Sequence, residues 1–220
     1  LPRDNWVHDT LIAWTGWAGR NFDAGRSRHA VVVWFVTVIA PALAAWGVYL
    51  ALVHYSLAAA FAFDVLVLYL TLGFRQFSHY FTDIRAALDR GDESDARRLL
   101  AAWRHLDASE LPRTELLRHV LEHSLLAAHR HVFGVFFCFV ALSAVGLGPA
   151  GAVLYRLAEF ASRYWAFKSR TLDVPSNDRL MRLAQRAFSL IDYVPARLTA
   201  FGFAVAGNFE EAVNGWRRDA

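Results

Sequence analysis

Residues 30–53 read AVVVWFVTVIAPALAAWGVYLALV, 24 positions without a charged side chain. At about 1.5 Å per residue, a helix of that length outreaches the ~30 Å hydrocarbon core of a bilayer. Buried helices of water-soluble proteins rarely go so long without a charge, so the stretch reads as a membrane span. Pro41 brings no backbone N–H and should kink or bend it. Leu57 to Phe74 is a second apolar run, interrupted only by Asp64. A carboxylate is expensive in lipid and should face other helices or water. Only Val53-His54-Tyr55-Ser56 joins the two runs, so residues 30–74 are expected to form a tight antiparallel hairpin.

The composition agrees. Of 220 residues, 56% are hydrophobic, 15% aromatic and only 20% charged, a balance shifted toward membrane proteins. Intrinsic disorder is excluded by the amount of apolar surface. Cys138 is the one cysteine, which excludes an internal disulfide framework. The net charge of +3 is too small to argue for nucleic acid, and no nucleic-acid partner is expected. Residues 1–29 form a mixed polar segment without the pattern of a signal peptide. The first residue is Leu, and further sequence is expected ahead of it.

Residues 75–131 carry nine basic and nine acidic side chains and read as a cytoplasmic helical insertion. Gly91 should stop one helix and Asp92 cap the next, with Asp95 three residues on. Residues 132–158 are apolar until Arg156, but Val145-Gly146-Leu147-Gly148-Pro149-Ala150-Gly151 should not continue a helix. Two half-length helices joined at depth are expected, with one kinked span as the rival. Residues 159–197 hold seven basic and four acidic side chains and should stay in the cytoplasm. They read as amphipathic, with Leu180, Leu183, Ala187 and Leu190 near helical spacing and a turn at 173–178. Both charged intervals stay inside only if 132–158 enters the membrane and returns. Leu198 to Phe209 is apolar for only 12 residues, short for a span, so 198–220 read as a short re-entrant or interfacial helix and C-terminus, or as a helix continuing to Trp216. The fold class is therefore all-α, a polytopic integral membrane protein with broken or re-entrant helices.

Several clusters bear chemistry. His119-Val120-Leu121-Glu122-His123 matches the inverted zincin pattern. His119 and His123 share a helix face, as two zinc ligands do. A third ligand has to come from elsewhere, from Glu115, Glu159 or Glu211. In a chain with nine histidines, solvated or membrane-edge histidines are the plainer reading. Arg75, His79 and Asp83 are four apart and share a face, as a polar wall or a helix-stabilising network. His129-Arg130-His131 suits lipid phosphate. Arg156 and Glu159 can pair locally, and Asp192 and Arg197 precede the last apolar segment. Arg197 can reach a phosphate or a buried carboxylate such as Asp64.

A series of stretches then carries a resemblance: Asp64 to Leu72, Arg75-Gln76-Phe77-Ser78, Gly91-Asp92 before Ala96-Arg97-Arg98-Leu99-Leu100, Glu122, GPAGAVLYRL at 148–157, and Pro195-Ala196-Arg197-Leu198-Thr199. In order and spacing the series resembles the AmpE/CobD/CbiB membrane family, from about residue 60 onward. The resemblance implies a multi-pass protein of the bacterial inner membrane, with another transmembrane segment before this one. It implies one of two functions. AmpE-like proteins are membrane signalling components, which makes this chain a sensor, scaffold or ligand-binding protein without established catalysis. CobD/CbiB-like proteins resemble an adenosylcobinamide-phosphate synthase, which forms an amide between a corrinoid carboxylate and aminopropanol or its phosphate. Magnesium and a nucleotide are the cofactors the synthase reading implies.

The corrinoid branch has carboxylates and amides where this chain has Leu126, Ala127 and Arg130, Leu157-Ala158-Glu159, and Phe188-Ser189-Leu190 with Asp192 alone nearby. GLGPAGAVLYRL leans to the AmpE style, and the sensor reading is placed first. Arg75, His79, Asp83, Glu122, Arg156, Glu159, Asp192 and Arg197 are the expected ligand-binding residues. The expected partners are membrane lipids, a corrinoid or other anionic ligand, and a second copy of the chain.

Overall fold

The computed structural model describes residues 6–22, 27–72, 83–84, 86–87, 90–92, 94–95, 97–99, 113–171 and 175–203. Among these residues the regular structure is entirely helical. They fall into two units, Leu72–Val132 and the remainder, Leu1–Thr71 with Phe133–Ala220.

In the larger unit, helix α1 spans Trp6–Phe22 and α2 spans Ser27–Trp34. A π-helical turn, Phe35–Ile39, leads into α3, Ala40–Tyr55. The turn has a local cause. Pro41 offers no N–H to the carbonyl of Thr37, and its ring would crowd that carbonyl. Widening the helix just ahead of it, with the Ala40 N–H closing on the Phe35 carbonyl, relieves the conflict without ending the helix. His29–Tyr55 is thus one helical run of 27 residues. Ser56 is extended, and its hydroxyl accepts from the Ala59 N–H at 3.4 Å. Helix α4, Leu57–Thr71, starts at once and packs against α3.

The smaller unit contains α5, Arg113–Ala128, and a second π turn, His129–Phe133, that leads on into α6, Gly134–Ala144. Glu122–Ala144 is a second apolar run of 23 residues. The two runs have lengths of about 40 and 34 Å, enough to cross a bilayer. Only 22% and 28% of their most apolar windows is buried, unlike the core helices of soluble proteins. Phe35, Leu43, Phe61, Leu66, Phe136 and Val140 are among the large apolar side chains left exposed. Helix α4, at 15 residues, is shorter than the hydrocarbon core.

Helix α6 ends in a Schellman motif. The Leu147 N–H reaches the Leu142 carbonyl at 2.9 Å and the Gly146 N–H reaches Ser143 at 3.0 Å, with Gly146 at φ +83°. This left-handed position suits glycine and turns the chain out of the helix. Pro149 then accepts the first bonds of α7, Ala150–Thr171. The turn is fixed beside α3 by Trp46 Nε1, which donates to the Gly146 carbonyl at 3.2 Å.

Helices α6 and α7 come back-to-back at very short range. A Cβ on Gly151 would lie 2.0 Å from the Cys138 carbonyl oxygen, and one on Gly134 would lie 2.1 Å from the Tyr155 phenol. Pairing 138 with 151 and 134 with 155 makes the two helices antiparallel. Helix α7 also packs against α1, α3, α4 and α8, Pro175–Ile191. Gly19 of α1 lies against the Trp165 ring.

Some faces differ from the sequence pattern. In α8 the buried line is Leu180, Ala184 and Phe188, while Leu190 is 78% exposed. The hydrophobic stripe is rotated because α8 must meet both α2 and α7. Pro175 opens this helix, so residues 175–178 of the expected turn are helical, and 173–174 lie outside the described residues.

In the smaller unit Gly91 has φ +76°, and the Asp92 N–H bonds to the Ala87 carbonyl at 2.9 Å. Asp92 then caps the next helix through the Asp95 N–H at 3.0 Å. The stop and cap read from sequence are both present.

Outcomes of two kinds are expected, the first at two glycines. Gly151→Ala should cost on the order of 2 kcal/mol through overpacking against backbone, seen as a lower melting point in detergent. Gly47→Ala, with nothing within 4 Å of the new methyl, should gain up to about 1 kcal/mol from helix propensity. The second outcome concerns pH. The Asp95 N–H and the Ser94 hydroxyl hold the Asp92 carboxyl below the usual carboxylate range. Its contribution is therefore complete above the unfolded value of about 3.9 and lost as pH falls through the lower folded value. Amide exchange at residues 95–99, corrected for intrinsic rates, should accelerate below about pH 4. Asp92→Ala should exchange fast already at neutral pH and lose that dependence.

Candidate functional site

The chemistry of the larger unit gathers on α7. Its buried face carries Ala152, Tyr155, Ala158, Glu159 and Trp165. Small residues let neighbouring helices close in, and that enclosure buries a carboxylate in an otherwise apolar setting. Glu159 is 1% exposed, and a buried charge needs partners. Arg163, one turn later, supplies them: Nη2 donates to Oε2 at 2.9 Å, and Nε lies 2.6 Å from Oε1 as an ion pair, off the line of a hydrogen bond. Arg156, one turn earlier, approaches Oε2 at 3.4 Å. Two cations on one carboxylate leave the triad with a net positive charge.

A second link joins α7 to the end of α8. The space that Gly134 leaves open admits the Tyr155 phenol. Its hydroxyl donates to Asp192 Oδ1 at 2.7 Å, and its ring meets Phe188 edge-on. Asp192 sits in the turn after α8, before the helical residues 193–203. In that last segment the Arg197 guanidinium lies over the Tyr193 ring, 3.5 Å from its centre, and is exposed. It also donates to the Tyr193 carbonyl at 3.4 Å. Arg197 therefore does not reach Asp64, whose Oδ1 is buried without a hydrogen bond. The stacking preference of a planar guanidinium outweighs a reach across the unit.

Beside the triad is a cavity of about 610 Å³. Pro41, Ala44, Leu70, Val153 and Leu157 give it apolar walls, and Arg156 is its one charged lining residue.

The residues named from sequence separate. Arg156, Glu159 and Asp192 come together around α7, and Arg156 and Glu159 do pair. Arg197 stands apart on its tyrosine. Glu122, His119 and His123 belong to the smaller unit. Glu122 is exposed, and its Oε2 lies 4.0 Å from His119 Nδ1. No three His, Cys, Asp or Glu side chains converge as a metal set among the described residues. Of the possible third zinc ligands, Glu159 is held by two arginines, while Glu211 and the Glu115 side chain lie outside the described residues. Asp83 is helical and exposed; Arg75 and His79 lie outside the described residues. Arg163 and Tyr155 were missed. The four-residue spacing from Glu159 to Arg163 was a readable signal, whereas nothing local connects Tyr155 to Asp192, 37 positions on.

Comparison with known proteins places this arrangement. The family described as CobD/Cbib protein matches residues 4–220. The chain belongs to the CobD/CbiB family. It is 30% identical over 205 residues to the "Cobalamin biosynthesis protein CobD" of Stutzerimonas stutzeri, covering 93% of this chain and 61% of that protein. It is 33% identical over 156 residues to the protein of the same name in Chromobacterium violaceum, covering 70% of this chain and 45% of that one. The chain thus spans about half to three-fifths of the length of these curated relatives. No solved structure matches it. CobD/CbiB membership and the exposed apolar helices make it a multi-pass protein of the inner membrane. Both relatives carry cobalamin names, so the comparisons favour the corrinoid alternative over the sensor placed first.

The triad predicts an order of effects. Glu159→Gln leaves Arg156 with its shielded charge uncompensated and should cost on the order of 3 kcal/mol. Arg163 is half exposed, so Arg163→Gln should cost about 1 kcal/mol or less. Melting in detergent of both variants checks the order.

Proposed function

We propose that the chain acts in cobalamin biosynthesis, as part of a membrane synthase that forms an amide between a corrinoid carboxylate and aminopropanol or its phosphate. The CobD/CbiB match over residues 4–220 carries this reading. The membrane arrangement it calls for is a hairpin at 30–74, a cytoplasmic insertion at 75–131, and a segment at 132–158 that enters and turns back. The antiparallel pairing of α6 and α7 supports the last of these.

Within this reading Arg197 is the docking group for the corrinoid carboxylate. It is exposed, and stacking on Tyr193 fixes its plane while its N–H edge stays available for oxygen atoms. Asp192, held by Tyr155, sets the start of the segment that presents it. Arg156 supplies positive potential from α7.

The described residues do not assemble a seat for magnesium or a nucleotide. Asp192 and Glu159 are engaged by Tyr155 and by arginines, and Gly146 serves a helix end and not a phosphate loop. No step is derived through either cofactor.

Binding of cobyric acid to purified protein in detergent tests the proposal, with corrin absorbance as the readout. Saturable co-migration is expected, weakened at least 10-fold by Arg197→Ala, the scale of about 1.4 kcal/mol. A folded protein that binds no corrinoid would sink the reading.

A further inference from the structure

Helices α7 and α8 turn their described carboxylates inward and leave cations outside. Tyr155 donates to Asp192 near one end of the pair, and Ser169 donates to Asp178 near the other. The two helices therefore run antiparallel with their charged halves side by side. Residues 159–190 hold six basic side chains against Glu159, Asp173 and Asp178. Glu159 is buried and held by Arg156 and Arg163, and Asp178 is turned to Ser169. The outer side of α8 is left to Arg179, Arg182 and Arg186, all exposed. Arg182 and Arg186 stand opposite the buried line of Leu180, Ala184 and Phe188. Among the described residues no ion pair engages either of them.

One turn on, the same outer face becomes apolar. The helical direction carries across Asp192: its N–H bonds to the Phe188 carbonyl at 2.8 Å, and the Ala196 N–H bonds to the Asp192 carbonyl at 2.9 Å. Pro195 has no N–H for the Ile191 carbonyl, which is the local reason for the turn. Pro195 is buried, so the inner face continues past the turn. Outward stand Leu190, Val194, Leu198 and Phe201 at helical spacing, each half exposed or more. A row of large apolar side chains beside a row of arginines is the pattern of a helix at a bilayer surface. The lengths agree. At about 1.5 Å per residue, Arg186 and Arg182 precede Leu190 by about 6 and 12 Å. The headgroup layer outside the hydrocarbon is about 5–8 Å thick, within reach of both guanidinium groups on their flexible stems.

We propose that the outer face of α8 is a binding surface for anionic phospholipid. Leu190 and the row beyond it enter the acyl layer, and Arg182 and Arg186 bind lipid phosphates just outside it. A guanidinium fork fits two phosphate oxygens. A zwitterionic headgroup brings its own ammonium to the same place, so charge complementarity selects the anionic lipid. Tyr193 and Arg197 stack on the neighbouring row and have no part in this surface. The proposal goes beyond the corrinoid reading and does not rest on it.

Native mass spectrometry of the purified full chain in a zwitterionic detergent tests it, with phosphatidylglycerol, phosphatidylcholine and polyglutamate as separate probes. A basic side chain at an anionic surface contributes a factor of about five. The wild type should therefore retain phosphatidylglycerol about 10-fold more tightly than phosphatidylcholine or better. Sodium chloride at about 0.5 M should remove most of that preference, because exposed charges are then screened within about 4 Å. Replacing both arginines, Arg182→Gln with Arg186→Gln, should cut the preference about five-fold or more, with the melting point and corrinoid binding unchanged. The charge-keeping pair, Arg182→Lys with Arg186→Lys, should retain most of it. Arg197→Ala should lose the corrinoid and keep the lipid preference, which separates failure of this proposal from failure of the corrinoid reading. Equal retention of the two lipids, or a preference unchanged in the double Gln variant, overturns the proposal. So does a preference that persists at high salt, which would belong to an enclosed site. Polyglutamate held more tightly than phosphatidylglycerol also overturns it, in favour of an acidic protein partner.

Discussion

The close approach of α6 and α7 is the constraint on which the larger unit depends. Backbone meets backbone at Cys138 and Gly151, at a distance that admits no side chain. Helices in an apolar medium gain little from burying apolar surface and rely on tight packing of small residues instead. Gly134, Gly151, Ala152 and Ala158 are where this chain places them. Once α6 and α7 are locked antiparallel, the turn at 145–149 has little freedom. Gly146 must take its left-handed conformation, and Trp46 and Tyr49 of α3 close on the turn.

The polar chemistry follows from the same packing. The phenol of Tyr155 enters because Gly134 has no side chain, and only then can its hydroxyl reach Asp192. That bond anchors the end of α8 and sets where the segment bearing Arg197 begins. One turn along α7, Glu159 is enclosed by the same crowd of helices and must be neutralised from its own helix, which Arg156 and Arg163 do. A buried carboxylate held in this way is weak as a source of stability. Its effect is to fix where Arg156 stands, at the edge of the cavity and not free in solvent.

How much of this was legible depended on whether the signal was local. The charge-free run at 30–53, the glycines and proline at 146–151, and the Gly91–Asp92 stop and cap act within a few residues, and their physics could be read directly. Position 41 announced a disturbance, though not that a π turn would absorb it while the helix continued. The buried face of α8 was read one position off in part, because Leu190 is as apolar as its neighbours and only contact with α2 and α7 decides which side is covered. Helix α1 gave little warning, since Gly16 and Gly19 matter through their small size against Tyr164 and Trp165. The candidate residues were named one by one, and their grouping was not legible. Arg156 and Arg197 were both read as anion-binding arginines, and nothing in the sequence separates their surroundings.

That separation governs what each arginine can bind. Arg197 is exposed, and its charge is spread flat over a tyrosine ring. In water such a group discriminates weakly by charge alone, but its fixed plane suits a carboxylate presented at the edge of a large polar ligand. Arg156 is largely shielded and pairs with Glu159 at 3.4 Å, where the effective dielectric is lower and the pair interacts more strongly. The same surroundings exclude a ligand with many amides, because each would lose its water without replacement. One arginine therefore meets the aqueous side with its plane fixed, and the other is held on its own helix by the carboxylate that it helps to neutralise.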